Sequence, residues 1–204
     1  LLLFAELSRA DDRPNFVFLI ADDISYDDLG CYGSLDARTP HIDALAREGI
    51  LFSNAYLTSS SCSPSRSSII TGRYPHNTGD ASELHRAISG HLPSFPGLLR
   101  EGGYHSALAG KDHMTWHPLP EGEPAPTEPF DQKYGSKVAG NSGGHGNWLQ
   151  ALSDCPEEKP FFLWLAALDA HRVWDGRHEW DEAAYGPRYD PDKIPLPPAF
   201  VDTP

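Results

Sequence analysis

Apolar positions along the chain form short unbroken runs separated by stretches of helical spacing. Asn15-Phe16-Val17-Phe18-Leu19-Ile20-Ala21 is the first run. It is too short for a globular helix and rich in aromatic and β-branched residues, which predicts a strand buried on both faces. Phe161 to Leu168 is the strongest later run, and Tyr104 to Ala109 reads as another strand. Thr39-Pro40 predicts a helix start, with Thr39 as N-cap and Pro40 at the first helical position. Ile42, Leu45 and Ala46 give that helix one apolar face, and Gly49 ends it. Ile50-Leu51-Phe52 and Ala55-Tyr56-Leu57 read as a short strand and its exit. A second helix is expected from near Pro64 to Gly72, a third around Phe95 to Arg100 with Gly102-Gly103 as its stop, and a fourth over Gly146 to Leu152. Residues 116 to 145 are rich in Pro, Gly and charge and predict a long surface excursion. No internal repeat is present.

Strands alternating with helices imply an α/β fold, a mostly parallel sheet with helices on both faces. Such sheets place their chemistry at the carboxyl ends of the strands. The polar clusters fall there: Asp22-Asp23 after the first run, Lys111 and His113 after the Tyr104 run, and Asp169 to Arg172 after the last.

Composition narrows the partners. Hydrophobic residues make up 39% of the 204, enough for a core. The formal net charge of −13 argues against nucleic acid or an anionic membrane as main partner, since both need a basic face. A few arginines and a metal still suffice for one small anionic substrate. No apolar run approaches the roughly 18 residues that span a bilayer. The opening Leu1-Leu2-Leu3-Phe4-Ala5, followed by a polar switch at Asp11-Asp12-Arg13-Pro14, reads as a signal-peptide remnant or disordered terminus over residues 1–12. It predicts export to a periplasmic, extracellular or lysosome-like compartment. Of the three cysteines, Cys31, Cys62 and Cys155, at least one must lack an intrachain disulfide.

The segment Ser61-Cys62-Ser63-Pro64-Ser65-Arg66-Ser67-Ser68-Ile69-Ile70-Thr71-Gly72 carries the most specific signal. Pro64 can start a helix just after Cys62, aiming free backbone N–H groups and the positive dipole end at an anion. Arg66, one turn in, can hold anionic oxygens with a charge-assisted fork. The pattern Cys-x-Pro-x-Arg, two apolar residues and Thr-Gly resembles the signature of the sulfatase family. The resemblance implies that Cys62 is oxidised to Cα-formylglycine by a formylglycine-generating or anaerobic maturation enzyme. Hydrated, that aldehyde presents two hydroxyls on one carbon. One attacks sulfur, and loss of the proton on the other expels sulfate and restores the aldehyde.

Asp22-Asp23 alone reads as a solvated loop or as a hard-cation site, because two carboxylates at a turning strand end can converge on one ion. Leu19-Ile20-Ala21-Asp22-Asp23, with Asp28-Leu29-Gly30-Cys31-Tyr32-Gly33 after it, is similar to the sulfatase N-terminus. That implies Asp22, Asp23 and residue 62 as ligands of Ca2+, with Mg2+ as the variant. Asp27 and Asp28 are read as solvated or capping.

Gly110-Lys111-Asp112-His113 resembles the second sulfatase signature, with Asp112 where the family usually has an aromatic residue. The resemblance implies that Lys111 binds sulfate oxygens and that His113 contacts the formylglycine hydroxyl as base or orienter. It also implies that His171, in Asp169-Ala170-His171-Arg172, faces the sulfate and protonates the leaving group. Arg172 is either a substrate contact or a structural ion pair. His41, His76, His85 and His91 have no metal spacing and read as surface or turn residues.

The His-Arg pair and the Pro-rich end look most like the heparan N-sulfatase branch. The family implies an alkaline-phosphatase-like fold, with residues 13–204 as the N-terminal portion of a catalytic domain, and a sulfated carbohydrate as substrate. The family's later Asp-Asn metal pair has no counterpart after residue 172. Two other functions stay open: a phosphomonoester or phosphonate hydrolase on the same scaffold, and an inactive binding domain. Residues 1–204 expressed alone are expected to be poorly stable and inactive.

Overall fold

The computed structural model describes residues 12–115, 121, 122, 124, 128–135, 145–171 and 181–194. The expected signal remnant, apart from Asp12, the Pro-rich end and Arg172 lie outside them. The chain divides into two compact units, Leu1–Ile24 with Asn54–His171, and Ser25–Ser53 with Arg172–Pro204.

The first unit is built on four strands in the order β1-β4-β2-β3: β1 (Phe16–Ile20), β2 (His105–Gly110), β3 (Gln132–Gly135) and β4 (Phe161–Ala166). Every neighbouring pair is parallel, with Phe18 opposite Trp164 and Leu108 opposite the same Trp164. Side chains of successive residues leave a strand on opposite faces, so each central strand supplies two cores. Leu108, Phe162, Trp164 and Ala166 pack with Ile69 and Ile70 of α2 (Cys62–Thr71) and with Phe95 and Leu99 of α3 (Phe95–Glu101). Ala107, Ala109, Leu163 and Leu165 pack with Trp148 and Ala151 of α4 (Trp148–Ser153). Helices therefore cover both faces, as the alternation predicted. None of the described helices is long and apolar enough to cross a membrane.

Three expectations are corrected. The first run is an edge strand rather than one buried on both faces: Phe16 is 43% and Leu19 53% exposed. It pairs only with β4 among the described residues, and its apolar side chains gain shelter from Phe18 against Trp164 and Phe16 against Tyr104. An apolar hollow of about 730 Å³ lies beside it, lined by Phe16, Phe18, Phe95, Leu99 and Phe162, with no acidic or basic group in its wall. Residues 50–57 form no strand. The excursion over 116–145 contains β3, whose polar sequence Gln-Lys-Tyr-Gly gives no strand signal and is recruited by backbone pairing to β2.

The second unit holds α1 (Pro40–Glu48). Asp43 Oδ1 accepts from Thr39 Oγ1 at 2.9 Å and from the Cys31 N–H at 2.7 Å. A Cβ on Gly30 would stand 2.6 Å from Asp43 Oδ2, which explains the glycine there. Asp28 accepts from the Ser25 N–H at 2.8 Å, so it caps a turn. The expected apolar face of α1 is largely solvent-facing, with Leu45 62% exposed. Arg38 stacks over the Tyr189 ring at 3.9 Å. The short helix α5 (Glu182–Tyr185) completes the described part.

Candidate active site

Parallel pairing brings the ends of β1, β2 and β4 to one edge of the sheet. Past those ends the backbone stays knitted together. Lys111 N–H donates to Ala166 O at 3.0 Å, Asp22 N–H to Asp169 O at 3.0 Å, and Ala170 N–H to Asp22 O at 2.8 Å. This fixes the carboxylate of Asp22 beside the lysine that follows β2.

Helix α2 opens on Cys62 itself, with Ser61 as the extended N-cap residue, not near Pro64 as expected. Pro64 is the third helical residue. It lacks an N–H, so the four donors without an intrahelical partner at this end reduce to those of Ser61, Cys62 and Ser63. The first intrahelical bond runs from Ser65 N–H to Ser61 O at 2.9 Å. Gly72 ends the helix in the left-handed region at φ 65°, which glycine adopts without a Cβ clash. Most of α2 is buried although its sequence is polar. Small serines allow close packing, and their hydroxyls return hydrogen bonds: Ser68 Oγ donates to Arg73 O at 2.5 Å and accepts from Thr58 Oγ1 at 2.7 Å.

Positions 62 and 66 share one helix face because four residues make about one turn. Arg66 is 3% exposed and reaches Asp22 Oδ1 at 3.3 Å, while its other terminal nitrogen donates to Lys111 O at 3.2 Å. Lys111 Nζ lies 2.5 Å from Asp22 Oδ2. Asp22, 5% exposed, is thus held by two cations. Asp23 is exposed and takes a left-handed backbone at φ 55°. One ligand atom each from Asp22, Asp23 and Cys62 lie within 4.8 Å of one another. Two ligands of one calcium, each about 2.3–2.6 Å from it, sit at most about 5 Å apart, so the spacing fits such an ion. The carboxylates suit it chemically. A thiol does not, because calcium selects oxygen, whereas hydroxyls on the same carbon would.

His113 is 8% exposed and left-handed at φ 57°. Its Nε2 lies 2.8 Å from Nδ1 of His85, a residue the spacing of histidines did not single out. His85 does sit in a turn, as expected, with φ 63°. Its N–H also donates to Ser63 Oγ at 2.8 Å. No local signal could have found this contact, since it joins two loops distant in sequence. His171 stands on the loop after β4, held by its N–H to Leu168 O at 2.8 Å. The structure thus gathers Asp22, Asp23, Cys62, Arg66 and Lys111 directly, and joins His113 to the residue after Cys62 through His85.

Asp112, the residue at the aromatic position, caps the turn after β2. It accepts from the Met114 N–H at 3.0 Å and from Thr115 Oγ1 at 2.6 Å, and pairs with Lys133 Nζ at 2.9 Å. Burial works against the charge on Lys133, but Glu128 and Asp112 outweigh it and raise the pKa. Cys31, Cys62 and Cys155 form no disulfide.

Residues 14–193 match the family model described as Sulfatase. Over 184 residues the chain is 36% identical to human N-sulphoglucosamine sulphohydrolase, covering 84% of this chain and 34% of that protein. It is 37% identical over 135 residues to an ulvan-active sulfatase of Formosa agariphila, covering 61% of this chain and 27% of that one. A solved structure in complex with its substrate D-glucosamine-2-N,6-O-disulfate superposes with a TM-score of 0.66 at 27% identity, over 79% of this chain and 35% of that one. The chain spans only about a fifth to a third of the length of the curated relatives it matches.

Proposed function

Because the chain belongs to the sulfatase family, we propose that the protein hydrolyses sulfate esters or sulfamates on a sulfated carbohydrate, with Cys62 converted to Cα-formylglycine as nucleophile. The observation that carries this is the position of Cys62, first residue of α2, with its sulfur beside the carboxylates of Asp22 and Asp23. Oxidation of a CH2–SH side chain to an aldehyde needs an external oxidant, so a maturation enzyme is part of the proposal. Asp22, Asp23 and the hydroxyls of residue 62 would hold Ca2+. When bound, that ion lowers the pKa of the attacking hydroxyl and withdraws charge from the sulfate.

The chain's own groups account for the rest. One hydroxyl of the hydrated aldehyde, its proton released to solvent, forms a bond to sulfur as the bond to the substrate oxygen or nitrogen breaks. His171 gives the leaving atom its proton. Arg66 and Lys111 draw charge from the sulfate oxygens. Arg66 has five N–H donors and Lys111 three, more than their bonds to Asp22 and to the Lys111 carbonyl use. His113 then takes the proton of the second hydroxyl. The carbon–oxygen bond to the sulfated hydroxyl breaks, sulfate leaves, and the aldehyde returns.

The carbohydrate substrate is supported by the names of the relatives, two of which act on or bind glucosamine sulfates and one on ulvan. Two measurements test the proposal. Mass spectrometry of the Cys62 peptide, from a host with maturation machinery, should show the aldehyde. Active protein with an intact thiol there rules out the mechanism. Rates on aryl sulfate, aryl phosphate and N-sulfoglucosamine should favour the sulfated compounds, and a large preference for phosphate overturns the substrate class.

A further inference from the structure

The structure assigns His85 as a positioning residue for His113, a role that rests on the function just proposed. Nδ1 of His85 and Nε2 of His113 are 2.8 Å apart, with ring centroids 4.9 Å apart and planes tilted by 39°. At that distance one proton lies between the nitrogens, because two N–H groups cannot point at each other. The protonation pattern of one ring therefore dictates that of the other. Nε2 of His113 is engaged by His85, and its other nitrogen, Nδ1, is buried. The contact therefore sets the tautomer and the plane of the His113 ring.

The other end of His85 ties this ring to the nucleophile. Its backbone N–H donates to Oγ of Ser63, which is wholly buried and follows Cys62 directly. One residue thus anchors to the start of α2 and sets the orientation of the ring that serves it. Both histidines take left-handed backbone, φ 63° and 57°, a region that histidine enters more readily than most non-glycine residues.

The test uses two variants that tolerate positive φ. His85→Gly removes the ring, and His85→Asn keeps a hydrogen-bonding atom on Cγ, where Nδ1 is attached. The first readout is long-range 15N–1H NMR of the His113 ring in the full chain. Wild type should show a single tautomer, His85→Gly a mixture, and His85→Asn a pattern close to wild type. The second is kinetics on an aryl sulfate. His85→Gly should lower kcat about tenfold to a hundredfold, the range for losing a group that orients another site residue, with KM within about twofold. His85→Asn should recover most of it. An unchanged His113 pattern in His85→Gly overturns the inference, as does equal loss of kcat in both variants. Absence of sulfatase activity in the full-length wild-type protein would instead sink the functional reading, while the ring spectrum still decides the role of His85.

Discussion

Asp22 and Lys111 meet at 2.5 Å across the ends of two strands that are not neighbours in the sheet, since β4 lies between β1 and β2. Arg66 adds a second cation to the same carboxylate at 3.3 Å. Removing that negative charge leaves two cations without it in a buried site. Asp22→Asn should therefore destabilise the first unit by about 3–5 kcal/mol, the range for breaking a buried pair by deleting one partner. Lys111→Met should cost less, because Arg66 still neutralises the carboxylate. Urea unfolding of the three proteins checks the order, and equal stability of Asp22→Asn and wild type contradicts it.

Asp23 separates metal binding from folding. Its side chain is exposed and its backbone is left-handed, a conformation asparagine also adopts. Asp23→Asn should change stability without calcium by no more than about 0.5 kcal/mol, as for other surface changes. Calcium at a hundred times its Kd should stabilise the wild type by about 2.7 kcal/mol. That gain should shrink sharply in the variant. Thermal melts over a calcium series decide this, and an undiminished shift would show that Asp23 is not a ligand.

A single hydroxyl at position 62 can attack sulfur but cannot expel it. Cys62→Ser should release about one equivalent of leaving group from an activated aryl sulfate and then stall. The peptide spanning position 62 should gain the mass of one sulfate group. Sustained turnover by this variant would show that the second hydroxyl is dispensable.

Tyr134, on β3 at the other end of the strand order from β1, offers a further check. Burial and the hydrogen bond to Asp154, at 2.7 Å, push its phenol up to about 12. The folded state therefore keeps a proton that the unfolded chain loses near pH 10. Its contribution to stability is complete below pH 10 and disappears as pH rises toward 12. Absorbance titration should show a tyrosine ionising late, and Tyr134→Phe should abolish that phase and flatten the fall in stability over this window. A phenol that titrates near 10 in the folded protein refutes the assignment.

Much of this was legible along the chain. The runs that became β1, β2 and β4, the stop at Gly72 and the cluster around Cys62 all depend on local spacing. So does the placement of Asp22, Lys111 and His171 after strands. The exposure of Leu19 and Leu45 was not legible, because an apolar pattern states which side seeks cover and not whether a neighbour supplies it. The strand β3 was hidden for a related reason: Gln132 to Gly135 is held by the edge of β2 rather than by its own propensity.

The amino-acid order by itself determined the parallel α/β plan, a helix that begins close to Cys62 and stops at Gly72, and which residue types stand at the strand ends, since backbone sterics and hydrophobic period act over a few residues. Tertiary structure alone decided that β4 lies between β1 and β2, that Asp22 takes two cations, and that His85 reaches His113. These contacts join residues far apart in the chain. They exist only once strand pairing and helix packing have brought those segments within hydrogen-bonding distance.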